Sequence, residues 1–298
     1  MSLVVAVPLG VCAATVYGTS IVIQHRHASE HADEGDTNAA SLLSLTRNPI
    51  WVAAVLSDFI GFLLQAGALS TGSVVVVQPL VVLMLPVAVL VSFLLGWHRP
   101  QRADLVAVLA ILAGLALFLI LSGTPDVVHV PRSRYLGMMV IIVLLSGVVV
   151  SLVVTGRNKV LRGAVYGAVA GGYFGAVAVL VDAASEQVSR HGWTGLVEHP
   201  RGIVPLAGIV LLGTAGIILT QMSFQLGTLH ATLPANLAAD PLTGVLLGVI
   251  VLRERIPIGA GHLIAYVACL AAVAAGAYRL ADPNTGPIDP DEPDRLPA

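Results

Sequence analysis

Long apolar stretches separated by short polar segments dominate this chain. An apolar stretch of about 18 residues or more is a candidate membrane span, because a helix of that length crosses the hydrocarbon core of a bilayer. The pattern predicts about nine such helices, and therefore an all-α integral membrane protein. The predicted spans are residues 4–23, 50–70, 74–96, 105–121, 135–154, 163–181, 202–220, 231–252 and 256–278.

A glycine followed by two prolines at seven-residue spacing occurs twice, and the two copies are 155 residues apart. The two sets are Gly72, Pro79 and Pro86, and Gly227, Pro234 and Pro241. Proline is rare inside helices because it removes a backbone donor and clashes with the preceding turn. A repeated pair of prolines therefore indicates a duplicated segment, which is typical of membrane transporters built from two structural repeats.

The repeat offset pairs the first four spans with the last four and leaves the fifth as a connector. Paired spans are five apart, an odd number, so equivalent helices cross the membrane in opposite directions. This is an inverted repeat with a pseudo-two-fold axis in the membrane plane. The predicted divisions are a first repeat 1–124 with a polar loop 25–48, a linker helix 125–160, a second repeat 161–281 and a disordered tail 282–298.

The distribution of Lys and Arg near the span ends gives an expected orientation. With the N-terminus outside, eight basic residues fall in inner loops and six in outer loops. Inner loops carry the excess of positive charge in membrane proteins. We therefore expect the N-terminus outside, in a multi-pass protein of the inner or plasma membrane, with the basic segment 157–162 in the cytoplasm.

The composition supports the membrane assignment. The chain is 56% hydrophobic and 11% charged, whereas a soluble domain carries about 25% charged residues. Its mean hydropathy is +0.89. No basic stripe is present, so nucleic-acid binding is not expected. The expected partners are a small solute or cation, the lipid bilayer and a second copy of the chain.

Two aspartates lie midway along apolar spans. Asp58 is in the second span, and Asp240 is in the eighth, directly before Pro241. A carboxylate at the bilayer centre costs about 2.5–3.5 kcal/mol on insertion scales. One interpretation is that they bind a cation, a proton or an amine in a transport cavity. The other is that each accepts a hydrogen bond from a neighbouring helix, or that Asp240 caps a half-helix resuming at Pro241.

The four prolines predict irregular backbone near that cavity in both halves, since the carbonyls they free must be satisfied by neighbours or water. A packing kink without ligand contact is the alternative. Polar side chains in the same spans would line the cavity or form interhelical hydrogen bonds. The helix-breaking residues are Pro79, Pro86, Pro234 and Pro241, and the polar side chains are Gln65, Gln78, Gln221, Gln225 and Asn236.

Glycine recurs every fourth residue along one face of the sixth span. The residues are Gly163, Gly167, Gly171 and Gly175. This small-xxx-small pattern allows helix backbones to touch. It predicts close packing and no chemistry, because glycine has no side chain.

Histidines are concentrated in the polar loop. If the first helix continues, His27 and His31 share one face, with His25 nearby, and imidazole suits Zn, Ni or Cu. A solvated loop is the alternative interpretation. The sequence contains no nucleophile–base pair, phosphate-binding glycine loop or zinc-type cysteine spacing, so we expect neither an enzyme nor a cofactor.

Four short stretches carry a family resemblance. Residues 17–23 form a small-residue core, and residues 48–51 place Pro and Trp before the second span. Residues 220–224 read Thr-Gln-Met-Ser-Phe, and residues 252–255 read Leu-Arg-Glu-Arg. In this order they resemble the drug/metabolite transporter (EamA-like) superfamily, and within it the NIPA magnesium-transporter-like branch. The resemblance implies about nine helices and transport of a divalent cation.

These observations favour a secondary transporter that moves a small solute by alternating access, with a divalent cation such as Mg²⁺ as first candidate. No Arg lies in the middle of a span, which argues against a phosphate or carboxylate needing a bidentate clamp. Two alternatives remain open. They are a proton-coupled exporter of amino acids or small metabolites, and a non-transporting membrane scaffold or assembly protein.

Overall fold

The computed structural model describes most of the chain. The described residues are 3–32, 47–97, 101–123, 133–157, 159–226, 229–257 and 259–280, with the backbone alone for 25–32, 159–160, 221, 224–226, 229–234 and 280.

Eleven helices make up the described part of the chain, which confirms the all-α prediction. They are α1 (Leu3–Ala32), α2 (Pro49–Thr71), α3 (Val74–Val81), α4 (Met84–Leu94), α5 (Arg102–Ser122), α6 (Ser133–Val153), α7 (Lys159–His191), α8 (Gly195–Glu198), α9 (Pro200–Leu226), α10 (Leu229–Ile250) and α11 (Ala260–Leu280).

Eight segments of the described residues are long and apolar enough to cross a membrane, and they indicate a multi-pass membrane protein. The predicted third span corresponds to α3 and α4 together. The predicted eighth span corresponds to α10, whose apolar part, Ala235–Ile250, is shorter than a full span within the described residues. A ninth crossing therefore stays a prediction.

Local sequence explains where helix α2 starts and how the chain passes from it into α3. The Asn48 side chain accepts hydrogen bonds from the Ile50 and Trp51 amides, and Pro49 occupies the first helical position, where its missing N–H costs nothing. After α2 ends, the Ser73 side chain accepts from the Val76 amide and starts α3. The two helices are thus separated by one sharp turn.

The third span is interrupted between its two prolines. Helix α3 ends at Val81 and α4 begins at Met84. The amides of Val82, Leu83 and Leu85 donate to carbonyls three residues earlier, which tightens the chain into a turn. Pro86 has no N–H to continue the α-helical pattern across this point.

The expected break in the eighth span is absent. Helix α10 runs without interruption past Pro234 and Pro241. The reason lies in its packing, because Gly171 and Gly175 of α7 lie directly against its backbone at Asn236 and Asp240. A helix held this closely by its neighbour tolerates the loss of a proline donor without separating into two segments.

Helix α7 is the centre of the fold. It packs against α10, α9, α6 and α2, and the consecutive residues 176–181 in its middle are all buried. Elsewhere, large apolar side chains point outward, as on a surface that contacts lipid. Examples are Phe59, Leu109, Ile120 and Ile142. A helix that is apolar on all sides belongs in a bundle interior or in a membrane.

Candidate transport site

Asp240 lies in the middle of the helix bundle, on α10. Its Oδ1 accepts a hydrogen bond of 2.8 Å from Nε2 of Gln78, which is on α3 and is fully buried. A buried amide must find its partners within the protein. The contact joins residues 162 positions apart and connects the two predicted repeats.

Gln78 is the third member of a longer hydrogen-bonded chain. Its Oε1 accepts from Gln65 Nε2 of α2 at 3.0 Å, and Gln65 Oε1 accepts from the Tyr17 hydroxyl of α1 at 3.0 Å. We call Tyr17, Gln65, Gln78 and Asp240 the relay. Each member is on a different helix, and every donor in it points toward the carboxylate.

Two glycines provide the space that the relay occupies. A Cβ on Gly61 would lie 2.7 Å from Cε1 of the Tyr17 ring, and a Cβ on Gly244 would lie 2.6 Å from Cγ of Gln78. Neither distance is tolerated between carbon atoms. Glycine at positions 61 and 244 therefore leaves room for the Tyr17 and Gln78 side chains of the relay.

Asp58 lies in a second cluster. Its Oδ2 accepts a bond of 2.8 Å from Gln24 Nε2, and the same nitrogen lies 2.6 Å from Ser20 Oγ. Ser20 in turn donates to the Ala54 carbonyl at 2.7 Å. Asp58 and Asp240 therefore have separate amide donors. The two clusters share helices α1 and α2, which carry Gln24 and Asp58 as well as Tyr17 and Gln65.

Both carboxylates accept hydrogen bonds from neutral amides. Among the described side chains, no Lys or Arg donates to either of them. The polar side chains of the relay are bonded to one another; Gln78 is fully buried, whereas Tyr17, Gln65 and Asp240 are partly exposed. A small crevice lies nearby between α10 and α11, beside the turn that separates α3 from α4, and it is lined by apolar side chains. Val82, Leu237, Pro241 and Val273 are among its walls.

The other predicted cavity residues divide into two cases. Asn236, one turn before Asp240, donates through Nδ2 to Thr220 Oγ1 at 3.2 Å, so it joins α10 to α9 and is not bonded to the relay. The Gln221 side chain falls outside the described residues. Asn236 is therefore an interhelical contact, which is the alternative considered for these polar residues.

In the glycine face of α7, Gly171 and Gly175 lie against the α10 backbone. All four glycines are buried, and a Cβ on Gly175 would clash with the Asp240 carbonyl and lie 2.7 Å from the Gly244 nitrogen. Because α7 approaches so closely, the backbone on either side of Asp240 is fixed. The glycine stripe thus holds the carboxylate in position without touching any solute.

The histidine cluster receives no support as a metal site. Helix α1 continues to Ala32, beyond the predicted start of the polar loop at residue 25, but the side chains of His25, His27 and His31 fall outside the described residues. Among the side chains that are described, no group of three His, Cys, Asp or Glu residues could hold a metal ion.

Sequence reasoning did not identify the role of Glu254. This side chain is 2% exposed, and its two oxygens accept from the Val74 and Val75 amides of α3 at 2.7 and 2.9 Å. Arg253, at a positive φ of 56°, turns the chain so that Glu254 points inward. Burial raises the pKa of the Glu254 carboxyl above its usual range, although the Val75 and Val74 amides favour its charged form.

The sequence carries only a weak signal for this contact. Arg253 and Arg255 are exposed on either side of a buried Glu254. An acidic residue between two arginines in a loop normally indicates solvent exposure. The partner amides are about 180 residues away, so local patterning could not reveal them.

The comparisons with known proteins are sparse. No family model matches the chain, and no solved structure matches it. An uncharacterized protein of Corynebacterium glutamicum is 30% identical over 256 residues, which is 84% of this chain and 85% of the relative. The similarity thus extends along nearly the whole of both proteins. The chain therefore belongs to the same family as this corynebacterial protein.

Proposed function

We propose that this protein is a secondary transporter of the drug/metabolite transporter type, which moves a small cation by alternating access. The observation that carries the proposal is Asp240. It is a carboxylate in the middle of the bundle, bonded to a neutral amide and placed where the two predicted repeats meet. Intramembrane ionisable groups of this kind mark ion and substrate pathways.

The charge of the site favours a positively charged occupant. Asp58 and Asp240 accept hydrogen bonds from Gln24 and Gln78, and these amides supply no net positive charge. A carboxylate in low dielectric is stabilised far more by a proton or a cation than by a neutral donor. An occupant that brings positive charge to Asp240 would therefore replace the Gln78 donor.

Helix packing supports an inverted repeat as the framework for alternating access. Helix α1 packs against α2, as α7 packs against α9. Helix α1 also packs against both parts of the third span, as α7 packs against α10. Two other pairs, α5 with α11 and α3 with α10, join equivalent positions of the two halves. A pseudo-two-fold relation predicts all of these pairs, whereas the contact of α2 with α7 has no counterpart of similar extent.

The identity of the cation decides between two versions of the proposal. Mg²⁺, which the NIPA resemblance implies, keeps several waters and is often held by one or two carboxylates. One observation favours the second version, a proton-coupled exporter of amino acids or small metabolites. Asp58 and Asp240 have separate amide donors, so each is a single-carboxylate site suited to a proton.

The test is transport by the full-length chain in proteoliposomes loaded with a Mg²⁺ indicator, with and without a proton gradient. We expect Mg²⁺ entry that is lost in Asp240→Asn and reduced in Asp58→Asn. The matched control is Glu198→Gln, which removes an exposed carboxylate and should transport like wild type.

Two outcomes would contradict parts of this proposal. Counterflow of amino acids that requires the proton gradient, without Mg²⁺ entry, would replace the cation version by the exporter. Absence of solute flux in the wild type, together with an unchanged fold in the Asp58→Asn/Asp240→Asn double variant, would favour a scaffold that does not transport.

A further inference from the structure

We propose that the relay has two hydrogen-bond directions, and that occupancy of Asp240 sets which one is present. This inference deepens the proposed function and rests on it, because it assigns Tyr17, Gln65 and Gln78 as positioning residues for the same site. In the structure all donors point toward Asp240: Tyr17 to Gln65, Gln65 to Gln78, and Gln78 to the carboxylate. This is the direction that an ionised carboxylate requires, because it only accepts.

A proton or a cation on Oδ1 of Asp240 changes that requirement. A protonated carboxyl donates, and a bound cation needs oxygen ligands, so either occupant is served by the Oε1 of Gln78 and opposed by its Nε2. Rotation of the Gln78 amide by half a turn presents Oε1 to Asp240. No covalent bond changes other than the one that the arriving proton forms.

Gln78 cannot rotate alone. Once turned, its Nε2 faces the Nε2 of Gln65, and two donors then oppose each other at a position where Gln78 is fully buried. Such a mismatch leaves buried polar groups unsatisfied, which is strongly unfavourable. If Gln65 turns as well, its nitrogen donates to the Tyr17 oxygen, which can accept as readily as it donates. With a proton on Asp240, the reversed relay has the same three hydrogen bonds as the original; with a cation, a cation–oxygen contact to Gln78 Oε1 takes the place of one of them.

The consequence appears at Tyr17, on another helix. In the reversed direction its hydroxyl proton no longer points to Gln65 and is free to turn elsewhere. Asp58 lies on α2 and its donor Gln24 lies on α1, the two helices that carry Gln65 and Tyr17. No described hydrogen bond joins Asp182 on α7 to the relay. The relay therefore transmits the state of Asp240 on α10 to the α1–α2 pair that holds Asp58.

The test reads the Tyr17 hydroxyl directly. The full-length chain, with isotope-labelled tyrosine, is placed in lipid, and infrared difference spectra are recorded on adding Mg²⁺ at constant pH and, separately, on acidification. The C–O band of Tyr17 is assigned by its loss in Tyr17→Phe. We expect this band to move from the donor to the acceptor position with at least one of the two probes.

Variants distinguish a Tyr17 response that passes through the relay from one that reflects a general change in the helix bundle. Asp240→Asn and Gln78→Leu should abolish the Tyr17 response. If Gln78→Leu does not fold, Gln65→Leu takes its place and should also abolish the response. Gln24→Leu removes an equivalent amide beside Asp58, and Asp58→Asn removes the charge of that second cluster, which is not bonded to the relay. Both should keep the response.

Each result bears on one of the two proposals. A Tyr17 band that is unchanged with both probes, or a response that survives in a folded Gln78→Leu, overturns the relay even when liposomes transport. If the Tyr17 response requires Asp240 and Gln78 while the wild-type chain moves no tested solute, the result supports the relay and contradicts the proposed transport function.

Discussion

Replacement of Glu254 by Ala should destabilise the protein strongly, although the residue lies in a loop. The four N-terminal amides of α3 are all paired in the structure. Val74 and Val75 donate to Glu254, and Val76 and Val77 donate to Ser73. The first amides of a helix have no partner within it, so loss of Glu254 leaves two of the four unsatisfied.

The magnitude follows from these contacts. A buried donor left without a partner costs about 1–3 kcal/mol. Two such donors, partly offset by removal of a buried charge, give an expected loss of about 2–4 kcal/mol for Glu254→Ala. Glu254→Gln keeps one acceptor oxygen and should lose about half as much. Glu198→Ala, at an exposed position, should change stability by less than about 0.5 kcal/mol.

The assay is equilibrium unfolding in mixed micelles by titration with sodium dodecyl sulfate. The signal is the fluorescence of the three tryptophans. The expected order of unfolding free energies is wild type and Glu198→Ala highest, Glu254→Gln intermediate and Glu254→Ala lowest. Equal stabilities for Glu254→Ala and Glu198→Ala would refute the assignment of Glu254 as the cap of α3.

Three further predictions use the same kind of measurement. Burial raises the Glu254 pKa in the folded state, so protonation of Glu254 adds stability that is full below the unfolded pKa and is lost as the pH rises through the folded pKa. Glu254→Gln should lack this pH-dependent loss, and equal pH slopes would contradict it. Gly244→Ala should displace Gln78 and cost about 1–3 kcal/mol with loss of transport, whereas Gly213→Ala, with open space around it, should do neither. Gly175→Ala forces α7 away from the α10 backbone and should cost about 2–4 kcal/mol, while Gly172→Ala, whose Cβ would lie 3.4 Å from Thr243 Oγ1, should remain near wild type in the same titration.

The apolar pattern was sufficient to predict most helices. Asn48 and Pro49 indicate the start of α2 by local chemistry, and the observed helix begins there. The polar segment after residue 24 was expected to be a loop, yet α1 continues to Ala32. Residues 25–32 include Arg, Glu and two Ala, which favour helices, and no Gly or Pro, so the loss of hydrophobicity alone does not end the helix.

Part of the site was also predictable. Asp58, Asp240 and Gln65 are conspicuous because polar residues are expensive in apolar spans. Tyr17 and Glu254 were not identified as site residues, because their roles depend on partners 48 and about 180 residues away. Pro241 shows the opposite error. Its sequence context matches a helix break, but the glycines of α7 keep α10 continuous.

The long-range cap on α3 has a consequence for how the protein is made. The chain emerges from the ribosome with its N-terminus first, so the third span enters the membrane when residue 254 has not yet been synthesised. Until then the amides of Val74 and Val75 lack the partner they have in the finished protein. Bare amides are not tolerated in hydrocarbon, so the start of α3 must stay near water or the insertion machinery. The first half, expressed alone, would never complete this step.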